Sequence, residues 1–357
     1  MARLSSLKKY LQQSWQSLTQ DWQVLREAPI PARELNQTFL QASLPNLNFY
    51  LLLALAGAIA TFGLLTNSAA TIIGAMIIAP LMNPIASLAY ALVGLNSRLL
   101  ERAIFTLVTG IILVIFIAYL TTKFLGLTTV GSEILGRTTP NSLDLGVALA
   151  AGAAAAFANT RRSIANALPG VAISVALVPP LSVVGIGLCL GELGTQIALS
   201  RGVQTSIAGG SFLLFVTNLA GIVFSGSLVF LLQRYGSLKK AAIGIIISLL
   251  SLSILLQPLG FSLRQLYIRS ITMRTVFELR KNRPDLFPGT AKFRSIHTRY
   301  QEDGLLHVEL EMEVPLQDIK NVQEKIELAA QEMSRQLKEP IIINLDIIPF
   351  QRFESQP

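Results

Sequence analysis

IGAMIIAPLMNPIASL (residues 73–88) and ISVALVPPLSVVGIGL (residues 173–188) lie one hundred positions apart, and their shared reading decides the fold. Ile73, Pro80, Leu81 and Leu88 of the first recur as Ile173, Pro180, Leu181 and Leu188 of the second, and most other pairs are apolar on both sides. With their flanks the stretches become apolar runs over 69–95 and 166–190, enough for the roughly 20 residues a helix needs to cross a bilayer. Each run is interrupted by proline: Pro80 and Pro84 around Asn83, then Pro169, Pro179 and Pro180. A proline withholds a backbone donor and crowds the carbonyl one turn earlier. In hydrocarbon that carbonyl must find another partner, so a broken helix persists only against protein or a wet cavity. Both runs are read as discontinuous helices or re-entrant hairpins, with an ordinary proline kink as the alternative. Polar clusters suited to capping a following helix precede them, Thr66-Asn67-Ser68 and Asn159-Thr160. Matching breaks and caps point to an internal duplication.

Outward from this pair, the chain holds about seven hydrophobic segments: 48–66, 69–95, 103–121, 145–159, 166–190, 207–232 and 241–258. Of 357 residues 52% are hydrophobic and only 14% charged, against roughly 25% charged in soluble domains. The mean hydropathy is +0.54. The expected architecture is an all-α membrane region, 48–258, with repeats over about 48–121 and 145–232 and an extra span at 241–258. Three-span repeats must be inverted; if the broken segments re-enter without crossing, two-span copies run parallel. Paired broken helices in inverted halves mark midplane binding sites in many secondary transporters.

Charge gives orientation. The net charge is +8, and the membrane region holds 10 basic and 4 acidic residues, mostly in short loops, while the tail 259–357 has 14 of each. That distribution reads as membrane topology, not nucleic-acid binding. A cytoplasmic head places Arg98/Arg102, Arg161/Arg162 and Arg234/Lys239/Lys240 inside, as the positive-inside rule asks. Seven crossings would then put the tail outside, against the cluster Arg264–Arg283 that follows the last run. One non-crossing segment resolves the conflict and leaves the C-terminal domain cytoplasmic, in the inner membrane of a bacterial cell. The long polar head before the first run excludes a cleaved signal peptide.

The head, 1–47, carries Leu4, Leu7, Leu11, Trp15, Leu18, Trp22 and Leu25 at helical spacing, an interfacial helix or a short coiled coil between subunits. In the tail, Leu306, Val308, Leu310, Met312 and Val314 alternate with His307, Glu309, Glu311 and Glu313, a half-buried strand whose polar face is expected to be solvated. The order helix, strand, strand, helix, strand predicts a small α/β, ferredoxin-like domain. In pattern it looks like the cytoplasmic domain of cation diffusion facilitators, which implies a dimerising or regulatory module. The predicted helix 317–338 lacks histidine and the last strand offers only Asp346, so the resemblance does not extend to metal sensing.

GLLTNSAATIIGAMIIAPLMNPI (63–85) together with LPGVAISVALVPPLSVVGIGL (168–188) resembles a family of mostly bacterial and archaeal membrane proteins known as domain of unknown function 389. The likeness covers roughly 48–258 and implies a polytopic membrane protein, with no substrate or catalytic residues to carry over.

The leading functional expectation is transport or conduction of a small solute or ion. Its pathway is expected to run past Asn67, Pro80, Asn83, Pro84 and Ser87 in the first repeat and Asn159, Ser174, Pro179, Pro180 and Ser182 in the second. Carbonyls freed beside proline coordinate cations, and free N–H groups at half-helix starts meet anions. Small polar residues that only hold helices together are the plainer alternative. Acidic residues are confined to Glu101, Glu133, Asp144 and Glu192 near the later spans, which disfavours a proton relay. Arg161 and Arg162 either attract an anion or simply mark topology. A second class is an oligomeric scaffold or sensor, which the Gly187-x3-Gly191 spacing would suit. No nucleophile or metal arrangement occurs in the spans, so neither an enzyme nor a cofactor is expected. Homo-oligomerisation in the lipid bilayer completes the expectation.

Overall fold

The computed structural model describes residues 28–162, 169–200, 203, 205–236, a set of helical positions between 242 and 335, and the strands 292–300, 306–315 and 341–350. The stripe Leu4–Leu25 lies outside the described residues. The chain divides into two compact units, Met1–Leu256 and Gln257–Pro357.

The first unit is built from α1 (Ala32–Ala42), α2 (Leu47–Leu65), α3 (Ala69–Ile78), α4 (Met82–Gly94), α5 (Ser97–Leu125), the single turn α6 (Ser132–Leu135), α7 (Ser142–Asn159), α8 (Pro169–Ser200) and α9 (Ile207–Leu232). Side-chain caps fix most of the starts. Asn46 accepts from the Phe49 N–H, Ser68 from Thr71, Asn96 from Leu99 and Ser206 from Gly209. Asn141 and Asp144 form a reciprocal capping box at α7. Ser68 thus does what its cluster predicted. Asn159 and Thr160 do not: they close α7, through Asn159 Nδ2 to the Ala155 carbonyl and Thr160 Oγ1 to that of Phe157.

Contacts between loops sort the helix ends into two groups. At one end the Tyr235 hydroxyl donates to the Ile30 carbonyl (2.7 Å), the Ile30 N–H to that of Thr160, and Asn96 Nδ2 to Asn36 Oδ1. At the other, Asn67 Oδ1 accepts from the Glu133 N–H, Thr205 Oγ1 donates to the Thr138 carbonyl and Ser211 Oγ to that of Arg137. The chain therefore passes from the first end to the second in α2, α5 and α8, and returns in the α3–α4 pair, α7 and α9. Helices α3 and α4 bend by 59° across Ala79–Leu81; since they join opposite ends, they form one bent passage, not a hairpin. Five helices are long and apolar enough to span a membrane, six passages with the bent pair. The seventh run, 241–258, is described only at helical positions from 242 to 253, and the rest of that expected segment lies outside the described residues.

The hundred-residue offset lays α3–α4 over α8, and the two run antiparallel. They also differ. Ala79, which precedes Pro80, is extended (ψ 123°), as pre-proline sterics favour. Helix α8 keeps helical torsions through Pro179 and Pro180 and departs only at Gly191 (φ 56°, ψ −130°). The expected second break at the proline pair is thus corrected: packing overrides it, with Leu177, Val178, Leu181 and Val183 all fully buried. Gly191 takes a left-handed φ that side chains rarely adopt, and there the helix leaves its passage.

Small residues set the helix spacing. A Cβ on Gly185 would lie 2.6 Å from Ala118 Cβ, and one on Gly152 would collide with Ser225 Oγ and the Ile222 carbonyl. Helix α1 docks through buried Leu35 and Phe39.

The second unit contains a three-stranded sheet, β1 (Lys292–Tyr300), β2 (Leu306–Pro315) and β3 (Ile341–Phe350), in the order β1-β2-β3. β1 pairs antiparallel with β2, and β2 parallel with β3. Helical positions between β2 and β3 supply the crossover a parallel pair requires. This is a mixed α/β sheet with three strands among the described residues, short of the four of a ferredoxin-like fold. Val308 and Met312 are buried as the alternation predicts, but so is His307, at 7% exposure, so the polar face is not solvated along its whole length.

Candidate functional site

Halfway through the first unit, the proline-rich segments create a problem that side chains solve. The break after Ile78 removes the Ala79 carbonyl from the helix ladder, and Ser174 Oγ of α8 donates to it at 3.0 Å. Pro180 offers no N–H to the Ala176 carbonyl, and Asn218 Nδ2 of α9 donates to that carbonyl at 2.9 Å. Ser174 and Asn218 are both buried. The crossing of α3–α4, α8 and α9 is thereby held by two polar contacts to carbonyls that the sequence itself freed. Ser182 Oγ, Thr217 Oγ1 and Asn218 Oδ1 are buried in the same helices without a hydrogen-bond partner among the described residues, a costly condition in an apolar surrounding.

The ten sequence-selected residues do not converge. Ser174, Pro179, Pro180 and Ser182 are buried on α8, and Pro84 and Ser87 on α4. Pro84 stands in the first turn of α4, where a missing N–H is tolerated. Ser87 Oγ lies 3.5 Å from the Phe39 carbonyl, long for an O–H···O bond. Pro80 is half-buried beside the break. Asn83 is exposed on the outer face of the unit. Asn67 sits at an end: its φ of 54° makes the turn into α3, and its Oδ1 accepts from Ser132 Oγ and the Glu133 N–H. Asn159 bonds within its own helix. Asn218 was missed, although it is the sole amide side chain in an apolar run of 26 residues.

The two ends are unlike. At the end carrying Ile30 and Tyr235, an aromatic cluster of Phe39, Tyr90, Phe230 and Tyr235 fills the space between α1, α4 and α9, with ring centroids 5.1–6.1 Å apart. Arg161 Nη1 donates to Thr160 Oγ1 and Gln233 Oε1, and its guanidinium lies 4.8 Å from the Phe157 ring centroid. Arg162 pairs with Glu34 at 2.6 Å. Arg161 thus ties the segment after α7 to the end of α9, and Arg162 ties it to α1. Burial pushes the Tyr235 phenol above its ordinary range, and Arg161 pulls it partly back. At the opposite end, a cavity of about 450 Å³ opens beside the Gly191 bend, with Glu192, Thr195, Gln196 and Ser206 on its wall. Between them lies a void of about 10 Å³ among Ala86, Gly152, Ala155, Gly226 and Phe230, about one probe sphere, the least that a water needs. No group of three or more metal-ligating side chains occurs among the described residues.

An uncharacterized protein of Methanocaldococcus jannaschii is 29% identical to this chain over 186 residues, 52% of this chain and 53% of the relative. The chain thus spans about half the length of that curated relative. Residues 76–224 match the family described as "Domain of unknown function (DUF389)", a narrower stretch than the 48–258 over which the resemblance runs. That stretch holds the last turn of α3, all of α4 to α8, and α9 past Asn218, so the polar crossing of Ala79, Ser174, Ala176 and Asn218 lies within it, and over these residues the chain is similar to the DUF389 family.

Proposed function

We propose that the first unit is a membrane transporter or channel that passes a small solute or ion between two inverted three-span halves. The observation that carries this reading is the crossing itself. The central passages of the two halves run in opposite directions, and their mid-depth carbonyls are held by Ser174 and Asn218. Helices interrupted at mid-depth in inverted halves mark the binding site in many secondary transporters; here the first passage is broken at Ala79, and the second stays helical while Pro180 frees the Ala176 carbonyl. A solute hydroxyl or a cation would replace Ser174 and Asn218 at the Ala79 and Ala176 carbonyls, and Asn218 Oδ1, Thr217 Oγ1 and Ser182 Oγ add oxygens with no competing partner. In this reading the aromatic cluster closes the arginine-rich end, and the cavity at Gly191 is the entrance from the other. The arginine-rich end faces the cytoplasm by the positive-inside rule, in a bacterial inner membrane, and the C-terminal unit is cytoplasmic and regulatory. The chain acts without a cofactor and not as an enzyme.

A second reading, an oligomeric scaffold, is favoured by the close glycine contacts at Gly152 and Gly185. One experiment separates the two. Ser182→Cys in a Cys189→Ala background is challenged with a membrane-impermeant thiol reagent applied from either side. Transport predicts modification from at least one side, on the timescale of spontaneous opening. A thiol that never reacts, while a loop cysteine does, leaves the scaffold.

A further inference from the structure

The duplicated passages are covered unequally. In the second copy Ile173, Leu177, Val178 and Val183 are buried against neighbouring helices. In the first copy the aligned Ile73, Ile77 and Ile78 are 53%, 59% and 39% exposed, and Asn83, aligned with Val183, is exposed with no hydrogen bond among the described residues. Ala70, Ile73, Gly74 and Ile77 follow i, i+3, i+4, i+7 spacing, one face of α3. A Cβ on Gly74 would meet nothing within 4 Å, so the small-xxx-small pair Ala70 and Gly74 opens outward, the spacing that lets transmembrane helices approach closely.

Depth makes Asn83 decisive. Ten residues of α3 lead from the Asn67 end to the bend, about 15 Å at 1.5 Å per residue, half of a hydrocarbon core of about 30 Å. An amide facing outward there finds nothing in lipid chains to bond. We infer that the outer face of the α3–α4 passage, Ala70, Ile73, Gly74, Ile77 and Asn83, docks a second copy of this chain in the same membrane. Copies in one membrane share an orientation, so a symmetric pair is related by a two-fold about the membrane normal. An amide suits that symmetry, because its Nδ2–H donates to the partner amide's Oδ1 and its own Oδ1 accepts in return. The internal copy shows how the face is covered elsewhere, since its aligned residues are buried by protein helices.

The surface stands independently of the transport reading. The test uses purified full-length protein in liposomes, where the chain has only itself to meet, in a Cys189→Ala background. Oxidative cross-linking of Ile77→Cys is compared with Phe116→Cys, an outward position on α5 (54% exposed). The expected result is a disulfide-linked dimer at 77 at least fivefold more abundant than at 116. Adding Asn83→Val, the residue of the internal copy, lowers the yield at 77 several-fold while the thermal melt of the protomer stays within a few degrees. Equal yields at 77 and 116, or an undiminished yield with Asn83→Val, overturn the proposal. So does rapid modification of Asn83→Cys by an impermeant reagent, which would place water at this face. If Asn83→Val does not fold, the comparison of 77 with 116 in the otherwise native chain decides alone.

Discussion

A carbonyl freed by proline has to be satisfied inside a membrane, and at this crossing two single side chains do it. Removing Asn218 strands the Ala176 carbonyl. Unsatisfied buried acceptors cost about 1–3 kcal/mol, and measured hydrogen bonds between membrane helices average about 0.6 kcal/mol. Asn218→Leu is therefore expected to cost roughly 1 kcal/mol, read as a lower melting temperature in detergent. Ser182→Ala is expected to leave the melt unchanged or raise it slightly, since the Ser182 hydroxyl has no partner to lose. At this scale the sequence was half legible. Proline and amide positions could be read directly, and Ser174 and Ser182 did prove buried in the crossing. Direction could not be read: Asn83 points outward because the extended Ala79 turns the start of α4, and Asn67 serves a loop because its left-handed backbone aims its amide at Glu133.

Among the elements, α7 and α8 show why packing was harder to foresee than periodicity. In the alanine-rich α7, Gly152 presses on α9 with no room for a Cβ. Gly152→Val is expected to destabilise by about 3 kcal/mol or more, since overpacking costs typically 1–3 kcal/mol even for modest intrusions. Gly146→Ala, six residues earlier and facing open space, should be neutral or stabilise by up to about 1 kcal/mol through helix propensity. Paired unfolding measurements in one detergent check both. The apolar run lengths located every described passage. They did not reveal that Pro179 and Pro180 stay helical, because that depends on Asn218 reaching across from α9. Nor did they reveal Gly191, whose place in a GxxxG spacing suggested packing and whose φ of 56° makes a bend instead.

For the molecule as a whole, the account rests on the two copies of the repeat crossing in opposite directions. The ladder of runs and the charge asymmetry were visible in the sequence, as was the choice between inverted and parallel copies, but only contacts between loops decide it. Ile30, Thr160 and Tyr235 share one end, and Asn67 and Glu133 meet at the other. The six passages through α9 place α1 and the end of α9 on the same side, where Tyr235 bonds Ile30. The most direct measurement places single cysteines at Thr66, Ser97, Arg162 and Ser200 in the Cys189→Ala background and labels each from one face of oriented vesicles. The account predicts that Ser97→Cys and Arg162→Cys react from the cytoplasmic face, and Thr66→Cys and Ser200→Cys only from the opposite one. Labelling of Thr66→Cys and Ser97→Cys from the same face, or of Arg162→Cys and Ser200→Cys from the same face, would make a central passage re-entrant and contradict the inverted arrangement.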